Sequence, residues 1–173
     1  MVGARRRAVP GAIARSTSTV TATVATRAHR MEAEDVALAV LTFASGALGT
    51  IVTTTAAFPG SAQRLEITGT DGTVVIEDGE ITRRALAAEG PDSGRLAAVD
   101  SAAATDAAAI GTSGHAAQIA DLLAAIDAGH EPSVTGQDGR DALALASAVY
   151  QSAREGRTVV LAAASGDAEA AAG

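Results

Sequence analysis

The sequence contains no cysteine, no lysine and no tryptophan, and only two phenylalanines and one tyrosine among 173 residues. Without cysteine, disulfides and thiolate metal sites are excluded. With so few aromatic rings, the core must be built from valine, isoleucine, leucine and alanine. Aromatic platforms that stack on sugars or bases are therefore not expected on this chain.

Positive charge is also scarce. A formal net charge of −7 and a pI near 4.8 argue against a nucleic-acid surface, because phosphates are bound by clustered cations. The exception is the N-terminus, which carries Arg5, Arg6, Arg7 and Arg15. This segment lacks the apolar region of a secretory signal, although its Arg- and Ser-rich, acid-poor composition also occurs in transit peptides. Since no apolar run approaches the roughly 20 residues that span a bilayer, we expect a soluble cytoplasmic protein.

Three strand patterns follow the N-terminal segment. Residues 1–16 have no regular period and are interpreted as an unstructured, Arg-rich head. Alternating β-branched residues predict a strand at 17–26, a nearly continuous apolar run predicts a central strand at 35–43, and 49–57 returns as another strand. The low-complexity residues 162–173 are predicted to be a disordered tail.

Two Asp-Gly pairs, at 71–72 and 78–79, predict a three-stranded meander. Asp-Gly favours the two-residue type I′ turn, which needs positive φ at both central positions. The first turn places Ile67 opposite the apolar residues of the second strand, and the second turn places Ile76 opposite Ile81. This meander is a scaffold and carries no catalytic group.

Two helices and a last strand complete the chain. Residues 115–128 and 137–155 have the spacing of helices with one buried face, and each is followed by a glycine. The residues predicted to be buried are Ile119, Leu122, Leu123 and Ile126 in the first helix, and Leu143, Ala146, Val149, Tyr150 and Ala153 in the second. A mobile excursion at 86–114 precedes the helices, and a strand at 158–161 follows them. The pattern predicts an α+β fold, a mostly antiparallel open-faced β-sheet with two helices packed on one face.

Three segments of this pattern carry a family resemblance. They read EDVALAVLTFASGALGTI, RLEITGTDGTVVIEDGEI and GHAAQIADLLAAIDAGHEPSVTGQDGRDALALASAVYQSAREGRTVVL. Together they resemble the C-terminal domain of the Gfo/Idh/MocA oxidoreductases, over residues 17–161. The resemblance implies the second domain of a two-domain enzyme, in which a Rossmann domain binds NAD or NADP. It also implies that this second domain helps to shape the substrate pocket and that its open sheet face packs against another subunit.

The chain departs from the family where the chemistry should be. No G-x-G-x-x-G follows a strand, since Gly69 and Gly72 belong to a hairpin. The family's Glu-Lys-Pro signature cannot exist without lysine, and the Asp and His of its D-x-G-x-H stretch would lie upstream of residue 17. We therefore predict no catalytic, cofactor-binding or metal residue in this chain, and no cofactor bound by it. A truncated or frameshifted gene whose frame recovers near Ser16 is a hypothesis that accounts for this departure.

Two residues are candidates for the substrate side, and each has a structural alternative. His115 opens the first helix, where it is either a substrate contact or an exposed first-turn residue. Phe58 lies at a strand end, where it either approaches a substrate or plugs the sheet edge. His29 lies close in sequence to Glu32, Glu34 and Asp35, but side chains 29 and 35 should project apart, so we interpret this segment as a solvated connector rather than a metal site.

Three functions stay open. The first is a non-catalytic substrate-side and oligomerisation domain of an NAD(P)-dependent oxidoreductase acting on a sugar or polyol. The second is half of an oxidoreductase, completed in trans by a separate Rossmann chain. The third is a stand-alone dimerising module. We expect self-association through the open sheet face, and neither nucleic acid nor membrane as a partner.

Overall fold

The computed structural model describes residues 9–90 and 113–161, which form two units. Within these ranges the chain has three helices and seven strands. Unit 1 contains α1 (Val9–Ser16), β1 (Thr17–Ala25), β2 (Val36–Phe43), β3 (Leu48–Thr54), α2 (Ser113–Ala128), α3 (Gly136–Glu155) and β7 (Val159–Val160). Unit 2 contains β4 (Arg64–Gly69), β5 (Gly72–Glu77) and β6 (Glu80–Leu86). The predicted α+β class with antiparallel strands is confirmed.

The sheet of unit 1 has the strand order β3-β2-β1-β7, with all neighbours antiparallel. Its core-facing side packs against α3, and α1 packs on α3 in turn. The centre of this core is Val20, which is fully buried and pairs with Leu41 on β2 and Val159 on β7. Leu145 and Ala148 of α3 cover these residues. The core is aliphatic, as the composition requires.

Helix α1 corrects the prediction of an unstructured head at 1–16. Residues Val9–Ser16 are helical, and Ala14 is buried in the core of unit 1 with Ile13 packed beside it. Eight residues are too few to show a helical period, and so short a helix is stable only through tertiary packing. The contacts with α3 therefore explain a helix that sequence reasoning missed. Residues 1–8, the predicted disordered tail 162–173 and the interior 91–112 of the predicted excursion lie outside the described residues.

Helix α3 begins and ends within one residue of its predicted bounds, and Val149 packs against the core as predicted, but the most buried positions differ from the predicted ones. The buried positions are Asp138, Leu145, Ala148 and Ser152. The predicted face is wrong at Leu143, which is 68% exposed, and at Tyr150, which is 45% exposed. Two of the four buried positions are polar. A prediction based on hydrophobicity alone therefore assigned the buried face to neighbouring apolar positions.

Helix α2 has its predicted C-terminus, but the predicted buried face is exposed. Ile119, Leu122, Leu123 and Ile126 are 59%, 46%, 57% and 66% exposed, whereas Ala125 is fully buried. The helix makes no extensive contact with any other element of the described chain. The alanine-rich sequence favours a helix by intrinsic propensity, but nothing described here covers its apolar side.

Unit 2 is the predicted meander, in the order β4-β5-β6. The second turn is confirmed: Asp78 and Gly79 have φ of 47° and 89°, and Ile76 pairs with Ile81. The first turn is one residue earlier than predicted, because Gly69 pairs with Gly72. Gly72 belongs to β5 with φ of 144°, and a Cβ there would lie 2.1 Å from the carbonyl oxygen of Ala85 on β6. The glycine is thus required by strand packing.

Candidate functional site

The side of the four-stranded sheet that faces away from α3 is an uncharged surface. It alternates with the core-facing residues along each strand, so its members follow from the register. We call it the open sheet face, and it consists of Thr19, Thr21, Thr23, Leu38, Val40, Thr42, Leu48, Thr50, Val52 and Val160. Its large aliphatic side chains are between 47% and 76% exposed. A contiguous apolar and threonine surface of this kind is typical of a protein interface.

A charged network joins α1 to the start of α3. The Asp138 carboxylate accepts hydrogen bonds from the backbone N–H and the hydroxyl of Thr135, at 2.8 and 2.6 Å. In return the Thr135 hydroxyl accepts from the N–H of Asp138, which completes a capping box. The Arg15 guanidinium donates to the other Asp138 oxygen and lies 3.8 Å from Asp141. The bonds from Thr135, reinforced by Arg15, hold the pKa of Asp138 well below its usual range.

Asp35 organises the loop between β1 and β2. Residues 27–33 of this loop are exposed, as expected of a solvated connector, but the prediction is wrong at Asp35. Its side chain is buried and accepts hydrogen bonds from the backbone N–H groups of Arg27, Ala28 and His29, at 2.8, 2.6 and 2.9 Å. The ring Nδ1 of His29 also lies 3.5 Å from the carboxylate, so residues 29 and 35 meet instead of projecting apart. Burial raises the pKa of Asp35, but the three N–H donors outweigh it and lower the pKa to about 2. The group holds the loop in place by hydrogen bonding.

Ser152 extends the pairing between β1 and the two-residue strand β7. Its hydroxyl accepts a hydrogen bond from the N–H of Ala22, at 2.9 Å, and donates one to the carbonyl of Arg157, at 2.7 Å. The side chain has no exposed area. Both backbone groups lie just beyond the last β1–β7 pair, Val20 with Val159. The hydroxyl therefore links the two backbones where the short strand β7 makes no further backbone hydrogen bond.

Sequence reasoning missed both Asp138 and Ser152. A signal existed for the first, because Thr135 and Asp138 have the spacing of a capping box ahead of a helix. For Ser152 the signal was weaker: it shares a helical face with Leu145 and Ala148. The reason for a hydroxyl at this position is visible only in the fold, where the Ala22 N–H of β1 donates to it.

The two substrate-side candidates lie in different units. His115 is exposed in the first turn of α2, and Phe58 is 99% exposed at the start of unit 2, before the cis peptide bond to Pro59. Neither is part of the networks around Asp138, Asp35 or Ser152. A substrate role for both stays a prediction.

In 9–90 and 113–161, no three side chains of His, Cys, Asp or Glu form a group that could hold a metal ion. No helix in these ranges is both long and apolar enough to cross a bilayer. Unit 2 has an open depression of about 360 Å³ whose lining includes Arg83, Thr70 and Thr73. Its cation and hydroxyls offer hydrogen bonds to an anion, but the lining residues that the structure describes supply no carboxylate or imidazole for proton transfer.

The fold is that of an α+β sheet domain, and comparison with known families shows which class of protein it belongs to. The family model described as "Oxidoreductase family, C-terminal alpha/beta domain" matches residues 11–161. The chain belongs to the Gfo/Idh/MocA oxidoreductase family, as its C-terminal domain. A comparison with curated proteins finds no match.

Solved structures agree with this assignment. The WlbA dehydrogenase from Bordetella pertussis, in complex with NADH and UDP-GlcNAcA, is 28% identical with a TM-score of 0.65, over 85% of this chain and 40% of that one. The aldose-aldose oxidoreductase from Caulobacter crescentus, complexed with glycerol, is 29% identical with a TM-score of 0.62, over 85% and 42%. A probable dehydrogenase from Thermotoga maritima is 26% identical with a TM-score of 0.61, over 84% and 44%. The chain spans less than half the length of these relatives.

Proposed function

We propose that this chain is the substrate-side and self-association domain of an NAD(P)-dependent oxidoreductase acting on a sugar or polyol, and that it has no catalysis of its own. The observation that carries the proposal is the match to a C-terminal domain that spans between 40% and 44% of each of the three solved relatives described above. One of those relatives was solved with NADH and a nucleotide sugar, and another with glycerol. A cytoplasmic location, where NAD(P) is available, belongs to the same proposal.

The open sheet face supports the self-association part of this proposal. All ten of its residues are uncharged, in a chain of net charge −7. A second copy can therefore pack on this face without bringing like-charged side chains together. Ten side chains at roughly 70 Å² each would bury about 1,400 Å² between two copies, which is within the range of stable interfaces.

Sedimentation equilibrium of the purified chain tests self-association. Val52→Asp places a charge on the open sheet face, where Val52 is 70% exposed, and should convert a dimer into a monomer. Leu143→Asp is the matched control, since Leu143 is 68% exposed but lies on α3. A wild-type monomer, or a dimer that survives Val52→Asp, would contradict this part of the proposal.

Nicotinamide binding tests the absence of catalysis. Titration of the purified chain with NADH and NADPH, followed by nucleotide fluorescence, should show no saturable binding. Saturable binding by the chain alone would show that the chain itself holds the cofactor and would overturn the proposal.

A second function, half of an enzyme completed in trans, is favoured by one feature. The exposed apolar side of α2 is a surface that a further domain would cover. On this hypothesis a gene for a separate NAD(P)-binding chain lies beside the gene for this one, and only the mixture of the two proteins oxidises a sugar or polyol.

A further inference from the structure

The depression in unit 2 lies on one face of the meander, towards its first turn. On β5, Thr73 pairs with Ala85 of β6. Two residues further along, Val75 pairs with Arg83. Because paired residues share a face and side chains alternate along a strand, Thr73, Ala85 and Arg83 lie on the same face. The β4–β5 turn contributes Thr70 to the same lining. We call this site the meander depression, and its volume is about 360 Å³.

Much of the described lining has little or no side chain. The glycines and alanines that contribute to it are Gly69, Gly72, Ala85, Ala87 and Gly90. A Cβ at Gly69 would meet nothing within 4 Å, so this side of the depression is open space rather than packed strand. Such residues let a ligand approach the backbone closely, and the volume is at the lower end of the range for small-molecule sites. The meander depression therefore has room for a small organic ligand.

Arg83 supplies the only charge among the described lining residues, and it has no partner there or elsewhere in the described chain. The other two arginines of the meander are neutralised, since Arg64 pairs with two glutamates and Arg84 with one. A guanidinium carries five N–H donors in a rigid fork, which matches two oxygens of an oxyanion. Arg83 is thus free to bind an anion without first breaking an ion pair.

Hydroxyl donors lie beside this cation. The Oγ atoms of Thr68 and Thr73 are 3.2 Å apart, so one hydroxyl donates to the other. When Thr68 is the donor, the Thr73 hydroxyl keeps its own proton for a ligand. Thr70 adds a second hydroxyl from the turn. Together with two guanidinium N–H groups, these donors exceed what the two oxygens of a carboxylate need, and they suit the three free oxygens of a phosphate group.

We infer that the meander depression binds the phosphate group of a small phosphate ester. In this site the Arg83 guanidinium takes two phosphate oxygens, the hydroxyls of Thr70 and Thr73 donate to the phosphate as well, and the open side beside Gly69 receives the organic group. Asp71 lies in the turn between two lining residues, and its carboxylate repels a phosphate. Because one arginine is opposed by one carboxylate, we expect a dissociation constant in the millimolar range.

The test is an NMR titration of the full chain, followed by its backbone amide signals. Inorganic phosphate and glycerol phosphate are added in turn, while sodium chloride holds the ionic strength constant. The amides of Gly69 and Gly72 should shift saturably with both probes. Arg83→Gln should weaken binding about tenfold, because it removes the charged donor. Arg84→Gln is the matched control: Arg84 pairs with Val74 and so lies on the opposite face, and its loss should leave the affinity nearly unchanged.

Two further variants change the affinity without removing a donor. Gly69→Val fills the open side of the depression and should abolish saturable binding of glycerol phosphate. Asp71→Asn removes the repulsion and should strengthen binding about twofold. Unchanged affinity in Gly69→Val would show that the ligand lies elsewhere and would reject the site.

Saturable shifts that are lost in Arg83→Gln and kept in Arg84→Gln support the meander depression as a phosphate site. Shifts that sodium chloride alone produces, a lack of saturation, or equal affinity of Arg83→Gln and the wild type would overturn it. Acetate, titrated in the same way, identifies the ligand class, because acetate binding as tight as that of phosphate would reject the phosphate assignment. None of these outcomes depends on the open sheet face or on nicotinamide binding, so the function proposed above stands or falls by its own tests.

Discussion

At the scale of single residues, Ser152 shows how one hydroxyl can complete a sheet. Replacing it by alanine leaves the Ala22 N–H and the Arg157 carbonyl without their partner. A buried polar group left unpaired costs about 1–3 kcal/mol, so Ser152→Ala should lower the free energy of unfolding by that amount. Urea denaturation measures the change. Ser147→Ala, at an exposed position of the same helix, is the control and should be nearly neutral; equal effects of the two substitutions would contradict the role of the hydroxyl.

The lowered pKa of Asp35 predicts how the stability of the fold changes at acid pH. Its pKa in the folded chain is about 2, below the value of 3.8 that is usual for an aspartate. A carboxyl whose pKa is depressed by folding stabilises the fold above its unfolded pKa, and this stabilisation is lost as the pH falls towards the folded value. Urea midpoints should therefore drop between about pH 4 and about pH 2. The drop should be smaller in Asp35→Asn, which has no carboxylate to protonate, and unchanged in Asp127→Asn on the exposed side of α2. If the urea midpoint of Asp35→Asn falls as steeply with decreasing pH as that of the wild type, the loop does not depend on this charge.

At the scale of elements, the meander depends on close contact between β5 and β6 at one glycine. A methyl group at Gly72 would meet the Ala85 carbonyl, whereas one at Gly69, its partner on β4, would meet nothing within 4 Å. Gly72→Ala should therefore separate the strands and raise amide hydrogen exchange across β4, β5 and β6. Gly69→Ala should leave exchange unchanged, and comparable protection in the two variants would contradict the strand contact.

The elements also show which parts of the fold the sequence could predict. The strands, the two long helices and the second turn were predictable because β-branched runs, helical spacing and Asp-Gly chemistry act locally. The buried face of α3 was not, since it includes Asp138 and Ser152, which bond to Arg15 and Ala22 from parts of the chain distant in sequence. The same holds for α1, whose eight residues are helical only because α3 lies beside them. For the candidate site, the uncharged strands of the open sheet face were predictable from composition, but the sequence could not show that the aliphatic side chains of α2 would be left exposed.

At the scale of the whole molecule, the net charge opposes self-association, whereas the open sheet face favours it. Two copies of net charge −7 repel each other, while the surface proposed to join them carries no charge. An interface held by ion pairs weakens as salt screens it, but here salt screens only the repulsion. Raising the ionic strength from about 0.05 M to about 0.5 M should therefore leave the dimer dissociation constant unchanged or make it smaller.

Sedimentation equilibrium across that range measures the effect. The control is Thr21→Arg paired with Val40→Glu, which introduces opposite charges at two positions that face each other across β1 and β2 on the open face. Desolvating these charges should weaken the dimer at every ionic strength. If the wild-type dimer instead dissociates as salt rises, its contacts are ionic, and the interface must lie on one of the charged surfaces of the chain rather than on the open sheet face.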